Sequence, residues 1–417
     1  MHKAVDRRRR TTRPGDSLPN SSSSTPGRTS VCMLAYALYM TDARIKAYVN
    51  SLERSGARVD VLVVREKGQR RVEQIGTTRV FHLTTQYRGS SPIRYILSYL
   101  KFFAASLLTL TYLATTNRYS AVHVHNMPNL LVFAAAVPRL LGTRLILDVH
   151  DLMPPSYMAK FSVDAGHPLV KCLVLEQRFA ALMATHVFCA DHAQKQYLES
   201  VCKVPSTKIS VILNLPNEDL FIRSVGPTRS SERFELVYHG TIARRLGIDI
   251  LLEAIAMVPV DIPVRLSIYG SGDYLPEALA IAQRLELGER VRFSRSFFRV
   301  EMIPQMIGCM DVGIVGNRRT LACDKFMLPV KLLEYVYLGL PVVAPRLTII
   351  KSYFDEQMLK YYEPESASDL ARCIVELYRS REERERLRRN AATFYANHSW
   401  TRQEHTYLGV VTGATGS

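Results

Sequence analysis

With 417 residues, 47% of them hydrophobic and 22% charged, the chain is too long for one ordinary core and has the composition of a soluble, two-domain protein. Its seven cysteines (Cys32, Cys172, Cys189, Cys202, Cys309, Cys323, Cys373) are odd in number, scattered and without a C-x-x-C pair. That excludes a disulfide scaffold and a zinc cluster, and fits reduced thiols in a cytosolic compartment. The formal charge of +16 suits an anionic membrane surface or a phosphate-bearing ligand, and no motif for nucleic acid accompanies it.

Residues 1–30 hold seven basic residues against two acids, with Ser21 to Ser24, three prolines and almost nothing apolar to bury. They read as a disordered basic arm, and no apolar stretch follows the arginines as a signal peptide requires. Strand-like runs at 31–37 and 59–64 flank a helical pattern at 43–55 that Gly56 stops. Residues 95–114 (YILSYLKFFAASLLTLTYLA) are apolar almost all round, with Lys101 the single charge. A buried core helix, a helix in the membrane interface and a membrane span are the three placements open to them. Strands at 121–125 and 144–149 then enclose a helical stretch at 130–141. His125-Asn126 ends the first of these strands and Asp148-Val-His150-Asp151 the second. Histidines at strand ends are either structural or, where a cleft opens, donors and acceptors near neutral pH.

The rhythm restarts after the turn-rich Asn214-Leu-Pro-Asn217. Strands at 235–239, 264–269, 291–293, 312–315 and 341–344 alternate with helices at 248–257 and 275–285. Strand–helix–strand repeats predict right-handed units and a parallel sheet in each half. The expected division is therefore an arm at 1–30, a first α/β domain at 31–214 and a second at 215–390. A final segment at 391–417, with Trp400 and Tyr407, is expected to pack back on the first domain. Two doubly wound domains facing each other place ligands in the cleft at the carboxyl ends of their strands.

The chain has no Asp-x-Asp pair to present a divalent ion to a nucleotide diphosphate, so no metal is expected and side chains and helix ends must neutralise the phosphates. Gly240, Thr241, Arg244 and Arg245 follow one strand, where glycine admits close backbone approach and arginine offers forked donors; the alternative is two surface arginines. Gly270-Ser-Gly272 follows the next strand, with Leu275 where a dinucleotide fingerprint needs glycine, so a close-packed turn is the competing reading. In Leu328-Pro-Val-Lys331-Leu332-Leu-Glu334, Pro329 suits a helix start, and Lys331 and Glu334 share one face. Lysine there can hold phosphate and glutamate a ribose; the alternative is a surface ion pair.

Taken in order, "HNMPNLLVFAA", "GTRLILDVHDLMPP", "VYHGTIARRLGIDILLEAI", "IYGSGDYL" and "LPVKLLEYVYLGLPVVA" resemble the retaining GT-B glycosyltransferases of the 4-like, group 1 type, most of all those of exopolysaccharide and surface-glycan assembly. The resemblance spans about residues 31–410. It implies two Rossmann-like domains and a hexosyltransferase that moves a sugar from a nucleotide-sugar donor to a glycan or lipid-linked acceptor. Retention comes with it, while the missing Asp-x-Asp pair, the scattered cysteines and the basic charge with the apolar 95–114 stretch point to a metal-independent, cytoplasmic enzyme that rests on the inner membrane face. It implies further that Glu334 holds the donor ribose, Lys331 with Arg244 or Arg245 grips the diphosphate, and His150 stands beside the reacting sugar. Phe326 occupies the place of the family's first motif glutamate, which leaves Asp324 to touch the sugar. Arg44, in "YALYMTDARI", is expected on the acceptor side with His125, Asn126 and Asp151. A sugar-nucleotide epimerase of the same fold, using Asp151 and Asp324, and a non-catalytic nucleotide-sugar-binding relative are the alternatives.

Overall fold

The computed structural model describes residues 29–87, 92–222, 233–296 and 298–413. The expected basic arm lies outside them except for its last two residues.

The first domain is built on β1 (Ser30–Leu34), β2 (Arg58–Arg65), β3 (Val72–Ile75), β4 (Thr78–Thr85), β5 (Ala121–His125), β6 (Arg144–Val149), β7 (His186–Cys189) and β8 (Ile209–Val211). They form one sheet in the order β3-β4-β2-β1-β5-β6-β7-β8. The second domain carries β9 (Phe234–His239), β10 (Val264–Tyr269), β11 (Val291–Phe293), β12 (Val312–Ile314), β13 (Val342–Pro345) and β14 (Lys360–Tyr362) in the order β11-β10-β9-β12-β13-β14. Every pairing is parallel except that of β3 with β4, a hairpin turning on Gly76 at φ +60°. Strands such as β5 and β9 are buried at every position, as their near-continuous apolar runs require when helices cover both faces. Each sheet accordingly has a separate apolar core on either side. The chain order reverses between β1 and β5 and again between β9 and β12, the two places where such sheets open a crevice.

One local departure from the sequence expectation has a physical cause. The stretch 130–141 opens as a 3-10 turn over Asn129–Ala135 and becomes α-helical only over Ala136–Leu140. Pro138 sits in the first turn of that short helix, where its missing N–H breaks no bond. The helix Pro92–Thr116 is not enclosed: Phe102, Leu110 and Leu113 turn into the first core while Ile96, Leu100, Leu108 and Tyr112 face outwards. The helices Met153–Phe161 and Pro168–Met183 fill the connection from β6 to β7.

The helix Trp400–Thr412 lies across the first domain. Tyr407 stacks on Tyr48 with centroids 4.1 Å apart, and Trp400 Nε1 donates to Ser51 Oγ at 3.0 Å. The domains also meet at Phe326, which packs into the core of the first domain against Tyr197, and at Gln194, whose Nε2 donates to the Phe326 carbonyl at 3.0 Å.

Candidate active site

A cleft of about 450 Å³ runs between the domains, within the usual size for a small-ligand site. Its walls come from the carboxyl ends of both sheets. His150 and Asp151 follow β6, Asp191 follows β7, Asn214 follows β8, Gly240 and Thr241 follow β9, and Gly270 ends β10.

On the first-domain side the organising group is Asp148, fully buried at the end of β6. Arg44, in the first turn of the helix Ala43–Arg54, grips both its oxygens: Nε to Oδ2 at 2.8 Å and Nη2 to Oδ1 at 2.6 Å. The Nη1 of Arg44 donates to the Ile212 carbonyl and to Asn214 Oδ1, each at 2.7 Å. Burial alone would raise the Asp148 carboxyl, but the Arg44 guanidinium and the His150 ring outweigh it and hold it well below the usual carboxylate range. Three imidazoles surround this carboxylate. His150 Nε2 is 3.3 Å from Oδ2, His125 Nδ1 3.5 Å and His123 Nε2 3.7 Å. Burial keeps His123 below, and His125 well below, the ordinary imidazole value, so both are neutral near pH 7. The ligand atoms of His123, His125 and Asp148 lie within 4.8 Å of one another, a spacing that suits a cation. The guanidinium of Arg44 already supplies that positive charge.

His150 is the member of the group that reaches the cleft. Its Nε2 is 3.0 Å from His125 Nδ1, and its backbone N–H donates to Asn126 Oδ1 at 2.7 Å. Asn126 also donates to the Asp151 carbonyl at 2.7 Å, so this side chain holds the 150–151 turn in place rather than meeting a ligand. Arg44, expected on the acceptor side, borders the cleft with its fork bound inside the protein; His125 is covered, and acts only through Asp148 and His150. Asp151 opens onto the cleft, and burial raises its carboxyl while Arg245 and His150 pull it back.

On the second-domain side, the Val330–Leu338 helix starts at the cleft just after Pro329. Lys331 lies over the ring of Tyr238, with Nζ 4.7 Å from its centroid. Burial lowers its ammonium to about 8 against the pull of Glu334. Glu334 is only 4% exposed, and its carboxylate meets His239 Nε2. The Tyr335 hydroxyl donates to the Val237 carbonyl at 3.2 Å, so it accepts from His239 Nδ1, 3.0 Å away.

Gly240 passes beside Lys331: a Cβ there would come within 3.7 Å of Nζ, at a backbone φ of +109° that favours glycine. Gly270 and Gly272 owe their identity to the fold. A Cβ at Gly270 would lie 1.9 Å from the Gly240 carbonyl oxygen, and one at Gly272 2.1 Å from that of Ile242. Gly270 and Thr241 line the cleft; Gly272 is not among its walls. Of the two arginines, Arg245 lines the cleft and Arg244 stands outside it.

Two expected donor contacts are placed elsewhere. Asp324 accepts from the Thr348 amide at 2.9 Å and its hydroxyl at 3.1 Å, so its carboxylate caps the Thr348–Lys351 helix instead of reaching a sugar. Leu332 is fully buried in the core against β12 and β13. Sequence reasoning missed His239, Asp191, Gln194 and Asn317. His239 and Asp191 each stand at or just past a strand end, a signal already used for His150. Asn317, 1% exposed, leaves Oδ1 without a partner at the cleft wall, and nothing in its sequence context marks it.

Two family models match the chain in succession: a glycosyl transferase 4-like domain over residues 41–214 and a glycosyl transferases group 1 domain over 233–380. Among solved structures, sucrose-phosphate synthase from Thermosynechococcus elongatus superposes with a TM-score of 0.71 at 17% identity, covering 91% of this chain and 97% of its own. HepE from Anabaena, in complex with UDP and glucose, gives 0.68 at 16% identity, covering 93% and 100%. The UDP-forming trehalose-phosphate synthase from Burkholderia vietnamiensis gives 0.66 at 12% identity, covering 94% and 99%. These likenesses identify the GT-B fold. No curated protein matches the sequence.

Proposed function

The chain belongs to the glycosyltransferases that join a 4-like domain to a group 1 domain, and we propose that it transfers a hexose from a nucleotide-diphosphate sugar to a glycan or lipid-linked acceptor in the cytoplasm. The observation that carries the reading is the facing of His150 on one domain with Lys331 and Glu334 on the other across one cleft. In this reading Lys331, Arg245 and the start of the Val330–Leu338 helix neutralise the diphosphate, so that no metal is required. Glu334 accepts from the ribose hydroxyls, taking them in exchange for or alongside His239. His150 stands over the reacting sugar, with its ring held by His125 and Asp148. Asp151 and the 41–44 turn border the acceptor side. By the resemblance of its motifs the transfer retains the anomeric configuration, the leaving phosphate taking the acceptor proton while the protein supplies position and charge.

A thermal-shift screen against nucleotide sugars and free nucleotides, with Glu334→Ala in parallel, tests this. A ligand well above its dissociation constant raises stability by about 2–4 kcal/mol. Stabilisation of the wild type by a nucleotide sugar in the presence of a chelator, lost in Glu334→Ala, is the expected result. No stabilisation, or stabilisation indifferent to Glu334, removes the donor-site assignment. Two alternatives stay distinguishable: conversion of a nucleotide sugar without any acceptor identifies an epimerase, and binding without turnover a non-catalytic relative.

A further inference from the structure

One face of the first sheet is covered by the helix Pro92–Thr116, the 129–140 stretch and the helix Pro168–Met183, all contributing to one apolar core. What these elements turn outwards is unusual for a surface. On the Pro92–Thr116 helix, Ile93 is 72% exposed, Leu108 72% and Tyr112 67%, on the side opposite the buried Phe102, Ser106 and Leu110. An amphipathic helix of a protein wetted on that side carries polar residues there. The window Ile96–Thr116 has a mean hydropathy of 1.5, and only 28% of it is buried. Its inward stripe is packed on the sheet, which sets it along the surface of the domain. Leu140, 86% exposed, and Phe179 extend the apolar surface on the neighbouring elements.

The charges on the same elements are of one sign. Among described residues 92–185, seven exposed residues are basic, Lys101, Arg139 and Lys171 among them, and Asp164 is the one exposed acid. Asp148 is fully buried, Asp151 borders the cleft, and Glu176 is drawn in by Asn129 Nδ2 at 2.8 Å. Two copies meeting through this face would oppose like charges. An anionic bilayer offers an apolar layer for the leucines and phosphates for the lysines and arginines.

We propose that this face docks on an anionic lipid bilayer, with the Pro92–Thr116 helix lying in the headgroup plane and Lys101, Arg139 and Lys171 on the lipid phosphates. Ser98, near the start of the helix, is hydrogen-bonded at 2.6 Å to Tyr36, just past the carboxyl end of β1. That end of the helix therefore lies at the same edge of the sheet as the cleft, and docking brings the cleft to the membrane surface. The proposal does not depend on which sugar or acceptor is used.

Flotation of the full chain with vesicles tests it, comparing phosphatidylcholine alone with phosphatidylcholine mixed with phosphatidylglycerol. The wild type is expected to float with the anionic vesicles only, and less as salt rises. The variant Leu100→Gln/Leu108→Gln/Tyr112→Gln changes exposed positions to a good helix former. It is expected to lose binding by about tenfold or more with an unchanged circular dichroism spectrum and melting temperature. Lys101→Glu/Lys171→Glu serves as a second variant and is expected to lose the anionic preference. Wild type that floats with neither vesicle, or triple variant that floats as well as wild type, overturns the proposal; the latter result would assign binding to another region such as the basic residues 1–30. Light scattering that shows a dimer for the wild type and a monomer for the variant, without vesicle binding, overturns it in favour of a second copy.

Discussion

Phe326 of the second domain stands edge-on to Tyr197 of the first, with ring centroids 5.4 Å apart. By the resemblance of the motifs this is the place of the first glutamate, and here the side chain is part of a domain contact. Phe326→Ala is expected to lower stability by about 1–3 kcal/mol, less than a fully enclosed ring would. Phe326→Glu is expected to be destabilising as well, without tightening nucleotide-sugar binding. Urea denaturation and a titration of the donor measure the two effects, and a tighter donor Kd in Phe326→Glu would return this position to the sugar site.

Lys331 titrates near 8, because burial resists its charge more than Glu334 supports it. In the free protein the cation proposed to meet the diphosphate is therefore lost as pH rises through 8. Nucleotide-diphosphate affinity is expected to fall between pH 7 and 9 in the wild type. Lys331→Met is expected to bind about tenfold or more weakly at pH 7, the worth of a charged hydrogen bond, and to show a flatter dependence. Isothermal titration at several pH values decides; equal slopes in the two proteins would take Lys331 away from the phosphates.

Burial raises the Asp191 carboxyl to about 7, although Oδ1 accepts the Gln194 amide at 2.7 Å; Oδ2 has no partner. Its unfolded value is about 4, so between about pH 4 and 7 the folded protein binds a proton that the unfolded chain releases. Stability is thus expected to decline over this window as pH rises. Asp191→Asn keeps a good helix cap and is expected to flatten the decline. Urea midpoints at pH 5 and 7.5 for both proteins provide the comparison.

Arg44 and Asp148 form a buried, two-pronged pair, so removing one partner strands the other charge. Arg44→Met is expected to cost about 3–5 kcal/mol, and adding Asp148→Asn to recover much of it. Since the Asp148 carboxyl is depressed in the fold, its stabilisation is present above about pH 4 and lost as pH falls below it. Denaturation of the single and double variants checks the coupling. Similar losses for Arg44→Met and for the double variant would mean that the pair is not an isolated charge couple.

The alternation of apolar runs and helical periods was enough to read two parallel α/β domains and the cleft at their strand ends. Those features follow from local periodicity and connection handedness, which neighbouring residues carry in common. His150, at a strand end, and Lys331 and Glu334, at a helix start, do line the cleft, although spacing alone left the latter two open to being a surface ion pair. What tertiary structure alone decided is how the polar groups are used. Arg44 is bound to Asp148 across 104 residues, Glu334 to His239 across 95, and Asp324 to Thr348 around a corner. Phe326, four residues before the helix bearing Lys331, crosses into the other domain. Each of these pairings depends on where distant strands bring side chains together in a dry interior, where an unpaired charge is expensive and an open ring is waste. No short window of sequence contains both partners, so residue type and spacing named the candidates and the packing assigned their work.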